Sequence, residues 1–157
     1  MSQTAEPTHT VDEQGVFIAP LRLEYPYART VGPTISRFFT GLRERRIEGA
    51  RAPDGRVLVP PPDFDPRTGA PLDDWVTVSD EGTVAAWSWV PEPLAGQPLD
   101  HPFAWALIRL DGADSTMLHA VDAGSPDRIA TGARVRARWS SEPEGGMTDL
   151  ACFEVVE

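Results

Sequence analysis

The residues that could do chemistry in this 157-residue sequence are few and scattered. His101 lies in a proline-rich loop and His119 in a predicted strand, and neither has a histidine or cysteine partner at a metal-binding spacing. Cys152, the single cysteine, has apolar neighbours in a predicted strand, which favours a buried small side chain over a nucleophile. There is also no P-loop, Gly-x-Ser-x-Gly elbow or dinucleotide fingerprint. We therefore expect no catalytic residues and no enzyme activity from the chain by itself.

Two turns between residues 49 and 74 have the layout of a small zinc ribbon. A turn signal at residues 53–55 and a second one at 65–69 flank the short apolar run 57–59. A structural zinc site there would need cysteine or histidine ligands converging from both turns. The four corresponding positions hold a guanidinium, two carboxylates and a hydroxyl: Arg51, Asp54, Asp65 and Thr68. We therefore expect a metal-free, degenerate ribbon held by turn hydrogen bonds and packing, with no zinc.

Charge and hydropathy exclude two classes of partner. The formal net charge is −10, which repels polyanions and argues against a general nucleic-acid role. No run of about 18 apolar residues is present, so we expect no membrane partner. One cysteine cannot form an intramolecular disulfide, and no signal-type apolar run follows the amino terminus. These features indicate a cytoplasmic protein.

The first 48 residues are predicted to form a tail, an arm and one helix. Residues 1–15 are polar and aperiodic, which indicates a disordered tail. The segment 16–48 begins with an apolar arm interrupted by prolines, which suits packing on its own domain or on another chain equally well. Helical spacing of apolar residues then predicts an amphipathic helix with Thr34 as the N-cap and Gly49 as the stop. The candidate partner-binding aromatic residues of this part are Phe17, Tyr25, Tyr27, Phe38 and Phe39.

The helix and its tail carry a basic cluster. Between residues 37 and 56 there are six arginines and three acidic residues, against the acidic balance of the whole chain. One explanation is a solvated helix face with cations near the C-terminal end of the dipole. The other is contact with an anion, either phosphate groups or an acidic partner surface. The candidate residues are Arg37, Arg43, Arg45 and Arg46.

The remainder, residues 75–157, reads as a small Greek-key barrel. Strand-like runs recur with antiparallel turn spacing, beginning with a predicted hairpin between 75–79 and 83–90. Trp87 and Trp89 project from one face of their strand, where they could stack bases, fill the core or bind a partner protein. Alternating arginines at 134, 136 and 138 indicate cross-strand pairing with acids or phosphate capture at the rim.

The ordered set of short motifs resembles a known family. The matching segments, in chain order, are Phe38-Phe39-Thr40-Gly41-Leu42, Gly55-Arg56-Val57, Gly69-Ala70-Pro71, Asp74-Trp75-Val76-Thr77-Val78, Gly82-Thr83-Val84, His101-Pro102-Phe103-Ala104 and Gly132-Ala133-Arg134-Val135. Over residues 32–157 they resemble the acyl-CoA-associated OB-fold proteins of domain-of-unknown-function family 35 (DUF35), which combine a rubredoxin-like zinc ribbon with an OB-fold. The chain departs from that family where the zinc cysteines are replaced.

This resemblance implies an accessory role. Family members act as non-catalytic subunits of thiolase-superfamily enzymes, including lipid-transfer-protein-like aldolases that shorten steroid side chains as CoA thioesters. By likeness, we expect a hetero-oligomer with a thiolase-like partner, an acyl-CoA substrate shared with it and no tightly bound cofactor. Two alternatives stay open. One is a stand-alone acyl-CoA-binding protein or thioesterase that uses the basic cluster for the CoA phosphates. The other is a single-stranded nucleic-acid-binding OB-fold that uses the tryptophan face.

Overall fold

The computed structural model describes residues 10–18 and 30–156. They belong to two units, Met1–Thr30 and Val31–Glu157, and each is described by itself. Among these residues, none of the helices is both long enough and apolar enough to cross a membrane.

The first unit contains a short hairpin. β1 (Thr10–Val11) pairs antiparallel with β2 (Phe17–Ile18). Asp12 organises the turn because its Oδ1 accepts the backbone N–H groups of Gln14 and Val16, each at 2.9 Å. Residues 10–15, part of the predicted disordered tail, lie in this hairpin and its turn. Residues 1–9, the remainder of that tail, lie outside the described residues, as do residues 19–29 of the predicted arm.

The second unit begins with helix α1 (Gly32–Arg43). Pro33 suits the first helical turn because its missing N–H would have no intrahelical acceptor there. The prediction of Thr34 as the N-cap is wrong, since Thr34 lies inside the helix and its hydroxyl donates to an Asp63 carboxylate oxygen. Arg45, in a left-handed conformation with φ of 57°, reverses the chain soon after the helix ends.

A three-stranded antiparallel sheet follows the helix. β3 (Ile47–Arg51) lies between β4 (Val57–Leu58) and β5 (Asp74–Val78). The predicted helix stop Gly49 is instead a residue of β3. A Cβ on it would lie 2.7 Å from Val59 Cγ2, so the glycine allows the close approach of the neighbouring segment.

The register of β5 corrects a predicted pairing. Gly49 is opposite Val76 and Ala50 is opposite Trp75, so β5 pairs with β3. The hairpin predicted between 75–79 and 83–90 does not form. Alternation in the sequence identified β5 as a strand, but alternation alone carries no information on which strand it pairs with.

Five strands form a closed barrel. They are β6 (Glu81–Val90), β7 (Phe103–Leu110), β8 (Met117–Asp122), β9 (Arg134–Trp139) and β10 (Leu150–Val155). The spatial order is β10-β8-β7-β6-β9, closed by the β9–β10 pair, and β8 with β10 is parallel. This is the five-stranded Greek-key arrangement of an OB-fold, so the predicted mainly β fold class is confirmed.

Helix α1, the ribbon-like module (residues 49–74) and the barrel share one hydrophobic core. Phe38 and Leu42 of α1 and Val57 and Val59 of the module pack in the same cluster as the barrel interior. The β7–β8 turn adds polar links, because Asp114 Oδ2 accepts the Val57 N–H at 2.9 Å and Ser115 Oγ accepts the Val59 N–H at 2.6 Å. Residues 31–156 therefore fold together.

Candidate functional site

Three of the four positions that match zinc ligands take part in a polar cross-link between the two turns. Arg56 donates from Nε to Asp54 Oδ2 at 2.6 Å and from Nη2 to Asp65 Oδ1 at 3.0 Å. Arg67 Nη1 reaches Asp54 Oδ2 at 3.1 Å, and Thr68 Oγ1 donates to Asp65 Oδ2 at 2.8 Å. We call this group, comprising Asp54, Arg56, Asp65, Arg67 and Thr68, the two-turn clasp. Its organising carboxylate is Asp65, whose side chain is 1% exposed.

The fourth position lies outside the clasp. Arg51 Nε is 3.3 Å from Asp74 Oδ2, and its Nη1 lies 3.5 Å from the Gly55 carbonyl oxygen. The donor set does not fit a zinc ion. Guanidinium is not a zinc ligand, and Asp65 already accepts hydrogen bonds from Thr68, from the Arg67 backbone and from Arg56. These bonds, that from Thr68 first, hold the pKa of Asp65 below its ordinary value, so the carboxylate stays charged opposite the guanidinium.

Two of the four candidate arginines converge on an acidic residue of the same unit. Arg37 Nη2 lies 3.0 Å from Glu48 Oε1, and Arg46 Nη2 lies 3.7 Å from Glu48 Oε2. Arg37 also stacks over the Trp75 ring at 4.3 Å. The hydrogen bond from Arg37 lowers the pKa of the buried Glu48. These two guanidinium groups therefore stabilise the junction of α1 with the three-stranded sheet.

The other two candidates point to different places. The positive charge of Arg43 acts on Asp149 of the barrel, whose carboxylate also accepts three backbone N–H groups from residues 144–146. Arg45 is exposed and has no acidic partner among the described residues. The structure thus does not gather Arg37, Arg43, Arg45 and Arg46 around a single anion.

The candidate partner-binding aromatic residues are placed mostly inward. Phe38 is 1% exposed in the core, and Phe39 is half-buried against it. Trp87 and Trp89 are opposite Ala106 and Ala104, and the two half-buried indoles pack on the same core cluster. Phe17 is 73% exposed in the hairpin of the first unit. Tyr25 and Tyr27 lie outside the described residues.

The alternating arginines of β9 pair with acids of neighbouring segments. Arg134 contacts Glu81 and Asp111, and Arg136 contacts Glu81. Arg138 lies 2.7 Å from Glu154 and 3.3 Å from Asp122. Cross-strand pairing, one of the two explanations open from the sequence, therefore accounts for all three.

An apolar row on the outside of the barrel was not identified from the sequence. Ala86, Leu107 and Leu118 are side by side on β6, β7 and β8, with Leu107 opposite both neighbours in register. Leu107 is 40% exposed and Leu118 59%. Trp105 extends the surface at the next outward position of β7. We call Ala86, Trp105, Leu107 and Leu118 the outer apolar face.

A signal for this face was present in the sequence. The strand 103–110 is apolar on both faces except at Arg109. In an antiparallel barrel one face of each strand points outward, and a run that is apolar on that side too indicates an exposed or covered apolar surface.

A pocket of about 590 Å³ adjoins the outer apolar face. It shares Trp105 and Leu118 with that face, and its apolar wall includes Met147 and Leu150. The remaining lining residues are Gly96, Gln97, Pro98, His119, Thr148 and Ala151. Burial lowers the pKa of His119, whose ring also packs edge-on against Phe153 at 5.6 Å, so this histidine is neutral at physiological pH.

The remaining titratable candidates are held in structural contacts. His101 lies between Asp100 Oδ1 at 3.1 Å and Asp122 Oδ2 at 3.2 Å, and these contacts raise its pKa. Burial raises the pKa of Cys152 to about 11, so its thiol stays protonated at neutral pH. Within the described part of the chain, no three His, Cys, Asp or Glu side chains are grouped to hold a metal ion.

Comparison with known proteins identifies the barrel as an OB-fold domain and finds structures similar to most of the chain. Residues 75–140 match the family model described as "ChsH2, C-terminal OB-fold domain". A solved DUF35 protein of unknown function from Sulfolobus solfataricus is similar with a TM-score of 0.58 and 22% identity, over 80% of this chain and 83% of its own. A chain of the structure titled "Ltp2-ChsH2(DUF35) aldolase" is similar with a TM-score of 0.60 and 19% identity, over 82% of this chain and 98% of its own. No functionally curated protein has a significantly similar sequence.

Proposed function

The chain is a member of the DUF35 OB-fold family, and from this premise we propose that it is a non-catalytic accessory subunit of a thiolase-superfamily partner. The complex would act in the cytoplasm on acyl-CoA thioesters, with those of steroid side-chain degradation as the leading substrate class. The partner supplies the reacting residues, and this chain supplies a folded surface for assembly.

One observation carries this proposal. The match to a chain of the Ltp2-ChsH2(DUF35) aldolase covers 82% of this chain and 98% of that chain, so the likeness extends well beyond residues 75–140 of the barrel. The matched chain belongs to an Ltp2-ChsH2(DUF35) aldolase. We extend the assembly role, but not a particular substrate, from the architecture that the two chains have in common.

The chain's own side chains support a non-catalytic role. Cys152 is buried with a raised pKa, and His119 is buried with a lowered one. His101 is exposed but engaged by two carboxylates. Among the described residues, neither histidine is hydrogen-bonded to a hydroxyl or thiol nucleophile with which it could form a catalytic pair. The outer apolar face, in contrast, is the kind of surface that a partner protein covers.

The described residues support both alternatives less well. A stand-alone acyl-CoA binder needs several free cations close together for the phosphates, but Arg37 and Arg46 already contact Glu48, and Arg45 is exposed without a second free arginine of the cluster beside it. The nucleic-acid binder needs stacking surfaces, but the rings of Trp87 and Trp89 pack on the core of an acidic protein.

Co-expression tests the proposal. The chain is produced with a thiolase-like protein encoded beside it, purified through a tag on one subunit and passed over a size-exclusion column. We expect one peak that contains both polypeptides and turns over acyl-CoA, while the chain alone is inactive. Separate elution at micromolar concentration, or turnover by this chain without the partner, would refute the accessory role.

A further inference from the structure

The outer apolar face lies across three neighbouring strands of a closed barrel. Leu107 on β7 is opposite Ala86 of β6 on one side and Leu118 of β8 on the other, so both edges of β7 are paired at this residue. A partner therefore cannot add a strand to β7 here. Whatever covers Leu107 must do so with side chains that pack on the outside of the barrel.

The charge beside the face is unmatched. Arg109 follows Trp105 and Leu107 on the outward side of β7 and is exposed. It has no acidic partner among the described residues, although Arg134, Arg136 and Arg138 of β9 are all paired. On a chain of net charge −10, an exposed guanidinium without a carboxylate beside an apolar surface is complementary to an acidic group on another molecule.

The pocket beside the face provides an anchor. Trp105 and Leu118 belong both to the outer apolar face and to the wall of the 590 Å³ pocket. Interfaces concentrate binding energy where a large side chain enters a pocket and is shielded from water there, with near-neutral contacts around it. The flat row, the pocket and the adjacent cation form one continuous surface of the kind that protein partners recognise.

We propose that the outer apolar face, with Arg109 at its side, is the docking surface for the thiolase-like partner. The partner presents apolar side chains to Leu107 and Leu118 and a carboxylate to Arg109. This inference rests on the proposed function. A second copy of this chain is the poorer occupant, because two faces meeting about a two-fold axis would bring like charges together between molecules that each carry −10.

The test measures affinity between the purified chain and the thiolase-like protein encoded beside it. The variants are Leu107→Ser, Leu118→Ser and Arg109→Glu. Phe64→Ser is the matched control, because Phe64 is an equally exposed large apolar residue, at 60%, in the ribbon-like module. Circular dichroism and melting temperature establish that each variant is folded, which the exposure of all four side chains favours.

We expect Leu118→Ser to weaken binding by about tenfold or more, with a smaller effect at Leu107. Arg109→Glu should weaken binding and reduce its sensitivity to added salt. Phe64→Ser should leave the affinity within about twofold of the unchanged chain.

The possible outcomes separate the two proposals. Normal binding by all three variants, or equal weakening by Phe64→Ser, would place the interface elsewhere and leave the accessory role intact. Loss of self-association in Leu118→Ser with unchanged partner binding would make a second copy the occupant. If the unchanged chain binds no thiolase-like protein at all, both the accessory role and this docking surface are refuted.

Discussion

The two-turn clasp and the outer apolar face differ in whether their charged and apolar groups find partners within the chain. In the clasp, Asp65 is buried and accepts from Arg56, Thr68 and a backbone N–H, so its charge is matched inside the chain. On the outer face, Leu118 is 59% exposed and Arg109 has no acidic partner in the part of the chain that is described. A self-contained group stabilises the fold, whereas an unmatched one is available to another molecule.

This difference assigns two roles within one unit: the clasp stabilises the fold, and the outer apolar face is available for binding. Where related proteins are expected to hold zinc, this chain joins the two turns with carboxylates, guanidinium groups and a hydroxyl. A cross-link of this kind keeps the turns together without exposing reactive groups. On the barrel, by contrast, Leu107 and Leu118 remain exposed to solvent.

The largest loss of stability should come from adding a side chain at Gly49, where the strands of the ribbon-like module pack closely. A Cβ at Gly49 would lie 2.7 Å from Val59 Cγ2 and 2.9 Å from the Leu58 carbonyl oxygen. We expect Gly49→Val to cost about 3 kcal/mol of unfolding free energy, because overpacking moves backbone as well as side chains. Urea denaturation measures it. Thr77→Val, at an exposed residue of β5, is the control, and equal stability of the two variants would refute the tight packing at Gly49.

Breaking the Glu48 contact tests the arginine junction. Glu48→Gln removes the charge that faces Arg37 and Arg46, and we expect a loss of about 2 kcal/mol, reduced from the value of a fully buried pair because Arg37 is half exposed. Denaturant unfolding gives the number. Glu44→Gln, at an exposed residue beside Arg46, should change stability little. A variant that binds CoA phosphates better than the unchanged chain would support the anion role of the basic cluster.

Removing the central carboxylate should loosen the clasp without touching partner binding. Asp65→Asn leaves Arg56 without its buried partner, so we expect the melting temperature to fall by several degrees. Asp73→Asn, at an exposed aspartate of the same module, should leave it unchanged. Affinity for the thiolase-like protein should stay within about twofold at temperatures where the variant is folded. A large loss of affinity would join the two regions into one functional surface.

The clasp should also make stability depend on acid. Hydrogen bonds hold the pKa values of Asp54 and Asp65 below their ordinary range, so their contribution is present above the unfolded-state pKa of about 4 and is lost as the pH falls through the folded values. Urea midpoints measured from neutral to acidic pH should decline in that range. The decline should be shallower in Asp65→Asn, and identical slopes in the two proteins would contradict the role of this carboxylate.

His101 should add a smaller dependence of stability on pH near neutrality. Contacts with Asp100 and then Asp122 raise its pKa, so its stabilising contribution is complete below the ordinary pKa of about 6.5 and is lost as the pH rises through the higher folded value. Histidine ring resonances in NMR spectra should titrate above the ordinary value for His101 and below it for His119. His101→Gln should remove the stability change across this range, and a persistent change would assign it to another group.

The smallest expected effect is that of a chelator. Because the zinc-like positions are occupied by the clasp and by the Arg51–Asp74 pair, EDTA should not change the melting temperature. Elemental analysis should find substoichiometric zinc. One tightly held zinc ion per chain would show that the ligand positions were aligned wrongly.

The local patterns determined the elements and the general nature of the protein. Alternating apolar residues identified the barrel strands, and the turn signals identified the two turns of the ribbon-like module. The absence of cysteines at the ligand positions was readable directly, and the ordered motifs pointed to the DUF35 family. These features depend on residues close together in the sequence, where period and turn chemistry operate.

Only the tertiary structure decided which groups meet. The pairing of β5 with β3, the convergence of Arg37 and Arg46 on Glu48, and the joining of Asp54 to Asp65 through Arg56 all depend on long-range register. Whether Trp87 faces the core and Leu118 faces solvent depends on the direction in which the barrel closes. Strand period specifies alternation but not which face is inside, and burial of that face is settled only when all five strands pack together.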